Sequence, residues 1–301
     1  MKKKKKMETF DKLNYLFMIA LMFIIIYPLW FVIIASLSDA NAVAAGKVKF
    51  LPVDFTTVAY EAVMENKKIW WGYANSIFYT FFGTLTNLFM TIPIAYTLSK
   101  KDLPHRSGIT TYLLISMYVG GSMIPTYLIV KSLGLLNTRA VLILLSGYSV
   151  YNIVVTRTFF SSSIDDSLYE AAEMDGASEA QKLLKIALPL SKPIIAVMSL
   201  YYGVGQWNSY YNALMYIRDS NKEPLQLVLR RILILNERAI SEQLLLNYLT
   251  DAERMDLLKI QNLNYTMKYA VVFIAAAPML IAYPFVQKHF VKGMMIGSLK
   301  G

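Results

Sequence analysis

The sequence has no cysteine and only two histidines, which excludes several kinds of site at the outset. Without cysteine the chain can form no disulfide, no zinc thiolate site and no cysteine nucleophile. His105 and His289 stand far apart, with no second histidine at metal-ligand spacing, so we expect no bound metal. A GxxxxGK[ST] phosphate loop and a GxSxG elbow are also missing. We therefore expect neither a catalytic residue nor a cofactor on this chain.

Charged residues are scarce as well, at 17% of the chain, against roughly 25% in soluble domains. Hydrophobic residues make up 56%, and the mean hydropathy is +0.42. This balance favours a membrane protein. The net charge of +10 could suit nucleic acid, but the lysines and arginines flank apolar runs, as the positive-inside rule demands. We expect membrane lipid, and not nucleic acid, around this chain.

Six apolar stretches are long enough, alone or with their flanks, to cross a bilayer, which takes roughly 20 residues. They are residues 15–37, 75–98, 110–130, 139–160, 193–216 and 269–290. A cleaved signal peptide is the alternative for the first, but its apolar run exceeds the usual length of roughly 7–15 residues. The sequence predicts an all-α polytopic membrane protein with six transmembrane helices in a single domain, residues 1–301.

The charges that flank these stretches predict the orientation of the chain. Lysines at positions 2–6 precede the first stretch, and Lys288, Lys292 and Lys300 lie at the other end. We therefore predict that both termini are cytoplasmic. With six spans, the connection at residues 161–192 lies on the cytoplasmic side.

The longest connection, residues 217–268, is then extracytoplasmic. It carries Leu225, Val228 and Leu229 at the spacing of one helical face. That pattern argues against disorder, and we expect the connection to be structured.

Residues 161–192 read as two short helices around a turn. Ser163 with Asp166, and Ser178 with Gln181, have the spacing of capping boxes. Asp175 and Gly176 between them predict a tight turn. Pro189 and Pro193 are predicted to end the second helix and restart the chain into the membrane. An amphipathic connector lying on lipid headgroups is the alternative interpretation.

Within this connection, a set of small, acidic and apolar residues resembles the EAA signature of ATP-binding-cassette importer permeases. The residues that match are Glu170, Ala171, Ala172, Gly176, Ile186, Leu188 and Pro189. Asp175 and Ala177 resemble the common DGA form of the turn, and the C-terminal QKHFVKGMMIGSLKG resembles the sugar branch. The chain is thus similar to permeases of binding-protein-dependent carbohydrate importers, of the maltose-system and LplC–YtcP type.

The resemblance implies a type I importer permease fold and a coupling helix that docks into a cleft on a cytoplasmic ATPase subunit. It implies a second, paralogous permease, two ATPase subunits that bind ATP and magnesium, and an extracytoplasmic sugar-binding protein. ATP hydrolysis would then lie on a separate chain. The protein would sit in a bacterial cell membrane, where it carries a sugar, with an oligosaccharide as the expected size.

Aromatic and amide side chains within the predicted spans are candidates for the substrate pathway, since rings stack on sugar faces and amides bond hydroxyls. The candidates are Tyr118, Tyr127, Tyr151, Asn152, Trp207, Asn208, Tyr211 and Asn212. Helix packing and interface anchoring are the alternatives for each of them.

Two other kinds of transport protein are alternatives to a sugar importer permease. An ion-coupled secondary transporter would be expected to carry ionisable residues inside its spans, and few are present. An importer permease for a solute other than sugar stays open within the resembling family.

Overall fold

The computed structural model describes residues 9–235 and 250–298, and the part it describes is helical without a β-strand. Its α-helices are α1 (Thr9–Ser36), α2 (Ala40–Ala44), α3 (Val58–Glu65), α4 (Lys67–Ser99), α5 (Arg106–Tyr118), α6 (Met123–Ser132), α7 (Arg139–Leu144), α8 (Val150–Ser163), α9 (Asp166–Met174), α10 (Glu179–Lys182), α11 (Leu188–Leu190), α12 (Lys192–Trp207), α13 (Tyr211–Tyr216), α14 (Leu225–Arg230) and α15 (Asp251–Ser298). The π-helical turns are Leu183–Ala187 and Arg231–Leu235, and Ser220–Lys222 is a 3₁₀ turn.

The helices fall into two compact units of the chain. One unit comprises Met1–Lys67 with Leu229–Ala277, and the other comprises Lys68–Val228 with Pro278–Gly301. The predicted coupling connection and the candidate pathway residues all belong to the second unit.

Three helices are long and apolar enough to cross a membrane: Thr9–Ser36, Lys67–Ser99 and the part of α15 from Asp251 to Pro284. Two further pairs qualify if each bent pair counts as one span. They are α5 with α6, bent by 109°, and Glu179–Leu190 with α12, bent by 83°. Length and composition thus support three to five spans among the described residues. The count of six and the side each terminus faces stay predictions.

The first unit includes α1, whose apolar side chains are exposed along most of its length. Only its end is packed: Ile34 is buried with Ala42 and Val48, and Trp30 donates its indole N–H to the Phe50 carbonyl at 2.8 Å. A helix without charge over 20 residues that its own chain leaves exposed is suited to lipid or to another apolar helix.

In the second unit, α4 holds the segment that follows Tyr216 through hydrogen bonds to its backbone. The Asn75 amide donates to the carbonyls of Asn221 and Glu223, at 2.8 and 3.0 Å, and Ser76 Oγ accepts the Leu225 N–H at 2.8 Å. These bonds satisfy buried backbone groups of an irregular segment, so they fix its path.

Gly72 permits this close approach of α4 and α14. A Cβ at Gly72 would lie 3.1 Å from the Leu225 Cα and 3.1 Å from a methyl group of Val228. Leu225, Val228 and Leu229 are all buried, which confirms the helical face predicted for them. Of the predicted connection 217–268, residues 251–268 form the start of α15, and residues 236–249 lie outside the described part.

Candidate functional site

The predicted pair of helices in residues 161–192 is present as a hairpin, formed by α9, a turn, and a second arm from Glu179 to Leu190. The first predicted capping box is wrong. Ser163 is the last residue of α8, and Asp165 caps α9 instead, since its Oδ1 accepts the Ser167 N–H at 2.9 Å. The reason is Ile164, which is buried with an extended backbone, so the next helix can begin only after it.

The second capping box is confirmed. Ser178 Oγ accepts the Gln181 N–H at 3.4 Å, and Gln181 Oε1 accepts the Ser178 N–H at 2.9 Å. These two bonds satisfy donors that a helix start otherwise leaves free. The second arm therefore begins at a position set by local sequence alone.

The turn between the arms is a Schellman motif centred on Gly176. The Gly176 N–H donates to the Glu173 carbonyl and the Ala177 N–H donates to the Ala172 carbonyl, both at 2.9 Å. Gly176 has φ +76°, a conformation that disfavours residues with a Cβ. The predicted Asp175–Gly176 turn is confirmed.

Replacing Gly176 by valine is expected to destabilise the hairpin, with asparagine tolerated better. The left-handed conformation costs roughly 1–2 kcal/mol for a residue with a Cβ, and asparagine visits it more readily. No atom lies within 4 Å of the Cβ position, so the cost is conformational and not steric. In thermal unfolding of the purified protein, the midpoint should be highest for the parent, lower for Gly176→Asn and lowest for Gly176→Val. Equal midpoints for the parent and Gly176→Val would contradict this account.

Pro189 does not end the second arm as predicted. The helical backbone continues through it to Leu190, and the 83° bend into α12 comes at Ser191. A π-helical turn at Leu183–Ala187 precedes the proline, where the Leu188 N–H bonds to the Leu183 carbonyl. Pro193 lies in the first turn of α12, where a missing N–H costs nothing, so the restart predicted there is confirmed.

One face of the hairpin packs against α4 and α8. Tyr169 and Ala187 are buried in a cluster with Tyr96 of α4 and Phe160 of α8, and Ile186 packs against its edge. The Tyr169 ring lies edge-on to that of Tyr96, at a centroid distance of 5.9 Å. The hairpin thus has one side that packs against the rest of the chain.

A buried lysine joins the two arms. Lys182 is 3% exposed, and its ammonium donates to Glu173 Oε2 and Glu179 Oε1, both at 2.8 Å. These hydrogen bonds raise the pKa of Lys182, and the bond from Lys182 lowers the pKa of Glu179. Both shifts favour the charged forms of Lys182 and Glu179, so the buried ammonium keeps a charged partner.

The opposite side of the hairpin is exposed, and it carries much of the predicted coupling motif. Glu170, Ala171, Asp175 and Gly176 are all exposed. Met174, the last residue of α9, is 90% exposed. An apolar side chain at the apex, beside acidic and small residues, makes a surface that another protein can cover.

The remaining motif residues are divided between the two sides. Ala172, Ala177 and Leu188 are partly buried, Ile186 faces the cluster under the hairpin, and Pro189 is exposed. The structure therefore brings the motif together on one hairpin but assigns its members different surroundings. Sequence reasoning missed Lys182, since no motif contains it and only the fold shows that it is buried.

The candidate pathway residues are spread over α5, α6, α8, α12 and α13. Tyr118, Tyr151, Asn208 and Tyr211 are exposed on the chain, and Asn152 and Trp207 are buried.

Three of these aromatic side chains have identified contacts. The Tyr211 hydroxyl donates to Met123 Sδ at 2.8 Å, and the Tyr127 ring stacks on that of Tyr216. Trp207 lines an apolar groove of about 510 Å³ with Thr80, Thr84 and Gly203. These contacts are packing contacts within the chain. Asn212 is half-buried. Their role in a pathway stays a prediction.

Across residues 9–235 and 250–298, no group of three or more His, Asp or Glu side chains could hold a metal ion.

Comparison with known proteins gives concordant matches. Residues 69–296 match the family described as "Binding-protein-dependent transport system inner membrane component". Protein LplC of Bacillus subtilis is 39% identical over 98% of this chain and 96% of its own length. The polygalacturonan/rhamnogalacturonan transport system permease protein YtcP of the same organism is 36% identical over 98% of this chain and all of its own.

A solved structure matches the fold. It is described as a bacterial ABC transporter involved in the import of the acidic polysaccharide alginate, and one of its chains superposes with a TM-score of 0.80. The identity is 32%, and the match covers 95% of this chain and all of that one.

Proposed function

The chain belongs to the family of binding-protein-dependent transport system inner membrane components, and we propose that its hairpin couples a separate ATPase to sugar import. It is a multi-pass inner-membrane protein and a permease subunit of an ATP-binding-cassette sugar importer. The observation that carries the coupling role is the hairpin itself. Its packed side is fixed to α4 and α8, and its apex presents Glu170 and Met174 outward.

The transported solute in this proposal is an oligosaccharide or a polysaccharide fragment. The names of YtcP and of the alginate importer both refer to polysaccharides. Permeases of this family work with an external binding protein and an ATPase. We propose that the second permease is a paralogue, so that the translocation path lies between two similar chains.

This chain is proposed to hydrolyse no ATP. Its sequence has no phosphate loop, so ATP and Mg²⁺ are assigned to two cytoplasmic ATPase subunits. The proposed mechanism is alternating access. Closure of the two ATPase subunits moves the hairpins of the two permeases, and the permease pair then opens outward to receive sugar from the binding protein.

Replacing Glu170 by glutamine is expected to weaken retention of the ATPase subunit about tenfold, because charge-assisted hydrogen bonds to a partner contribute roughly 1.5–3 kcal/mol. Co-purification of the ATPase measures retention. Uptake of labelled galacturonate oligomers and malto-oligosaccharides by cells measures transport.

The matched control for this experiment is Glu65→Gln, which changes an exposed glutamate on the predicted opposite side of the membrane. It should leave retention of the ATPase unchanged. Retention and uptake that are both unaltered in Glu170→Gln would remove Glu170 from the coupling surface. A parent chain that binds no ATPase would overturn the proposed function.

A further inference from the structure

The Ser99 end of α4 contacts the hairpin through side chains that the EAA motif does not include. The Tyr96 hydroxyl donates to Glu179 Oε2 at 3.0 Å. Lys100, just beyond the end of α4, places its ammonium 3.2 Å from the centroid of the Tyr169 ring. The first contact reaches the second arm of the hairpin and the other reaches the first arm, so α4 is joined to both.

Lys182 ties these two arms to each other. Its side chain is 4% exposed, while the carboxylates of Glu173 and Glu179 that it bridges are mostly exposed. Because Glu179 accepts from both Lys182 and Tyr96, a chain of bonds runs from Glu173 through Lys182 and Glu179 to α4. The buried ammonium would lose a hydrogen bond if either arm moved away, so this network resists separation of the two arms.

The connection from the hairpin to α12 is of a different kind. It passes through a π-helical turn and then bends by 83° at Ser191. Pro189 lacks the N–H group that would bond to the carbonyl of Lys185, so the backbone before the bend has one bond fewer than a regular helix. Bends with missing backbone bonds are where helices yield.

We propose that α4 is the helix that moves with the hairpin when the ATPase subunits close. Tyr96, Glu179 and Lys182 are the positioning residues that hold the hairpin against it. The hairpin and the Ser99 end of α4 then move as one body, and Ser191 is the hinge that lets α12 change its angle to the hairpin. In this motion the 2.6 Å hydrogen bond between Thr91 of α4 and the Tyr202 hydroxyl of α12 breaks. This inference rests on the proposed coupling function, and it adds residues outside the signature motif.

The absence of cysteine allows a direct test by spin-label distances. One pair of labels goes on Ala180→Cys and Thr97→Cys, across the proposed rigid joint, and the other on Ala180→Cys and Tyr201→Cys, across the proposed hinge. All three positions are exposed. The complex with its partner permease and ATPase subunits, free of other cysteines, is measured in lipid nanodiscs without nucleotide and after trapping with ATP, Mg²⁺ and vanadate.

We expect the first distance to change by less than about 1–2 Å, the scale of shifts within a packed unit, and the second to change several times more. In Lys182→Met and in Tyr96→Phe, the distribution of the first distance should broaden, and its mean should change on trapping with vanadate, while the ATPase subunits remain bound. Lys182→Arg should restore the parent behaviour, which loss of folding could not explain. Lys185→Met, an exposed lysine of the same arm, is the matched control and should behave as the parent.

Equal changes of both distances in the parent complex would overturn the inference, as would Lys182→Met with parent distances. Either result leaves the proposed function intact if the ATPase still co-purifies. Loss of the ATPase from the parent complex is the separate outcome that defeats the proposed function itself.

Discussion

Changing Met174 to aspartate is expected to release the ATPase subunit from this permease. Met174 is 90% exposed at the apex of the hairpin, and it is the most exposed large apolar side chain of the described residues. Burying a methionine in a partner's cleft contributes roughly 1.5–3 kcal/mol, and a carboxylate in the same place adds a desolvation cost. The sum is roughly 3 kcal/mol or more, which exceeds a hundredfold in the dissociation constant.

Titration of detergent-solubilised permease with labelled ATPase subunit measures this effect. Met255→Asp is the matched control, since Met255 is 66% exposed on α15. It should bind the ATPase as the parent does. Parent-like binding by Met174→Asp would show that the apex of the hairpin is not the docking surface.

Substituting valine for Gly72 is expected to displace the segment that α4 holds after Tyr216. The added Cβ would meet the backbone of Leu225, at 3.1 Å from its Cα and 3.3 Å from its N. A backbone cannot rotate away as the end of a side chain can, so α14 must shift, at roughly 1–3 kcal/mol or more. The hydrogen bond from Leu225 to Ser76 is then lost, and Glu223, which is 3% exposed, loses its fixed position.

A lower thermal midpoint is the expected result for Gly72→Val. Gly205→Val is its control, because no atom lies within 4 Å of a Cβ at that glycine of α12. A midpoint equal to that of the parent would mean that α4 and α14 can separate without cost.

Much of the hairpin could be predicted from the sequence because its signals are local. The Ser178–Gln181 box, the turn at Gly176 and the N-terminal position of Pro193 each depend on backbone groups a few residues away. The prediction that Ser163 caps α9 was wrong because of a tertiary contact. Burial of Ile164 moved the helix start so that Asp165, and not Ser163, became the cap.

Apolar content and charge placement were sufficient to predict an all-helical membrane protein, since an uncharged run of sufficient length has few other stable environments. Gly120, Gly121 and Pro125 indicate a kink within one predicted span, but they do not set its angle. The stretch at 110–130 is two helices bent by 109°. A bend of this size depends on what surrounds the helix, and composition does not encode it.

The sequence by itself determined the family, the helical class and the residues of the motif, because each follows from residue type and short spacing. Only the tertiary structure decided which side of the hairpin is held and by what. Tyr96 and Glu179 are separated by 83 positions, and their hydrogen bond exists only because α4 and the hairpin pack together. Lys182 belongs to no motif of the sequence, and it becomes a buried link because folding brings the Glu173 carboxylate to it beside that of Glu179.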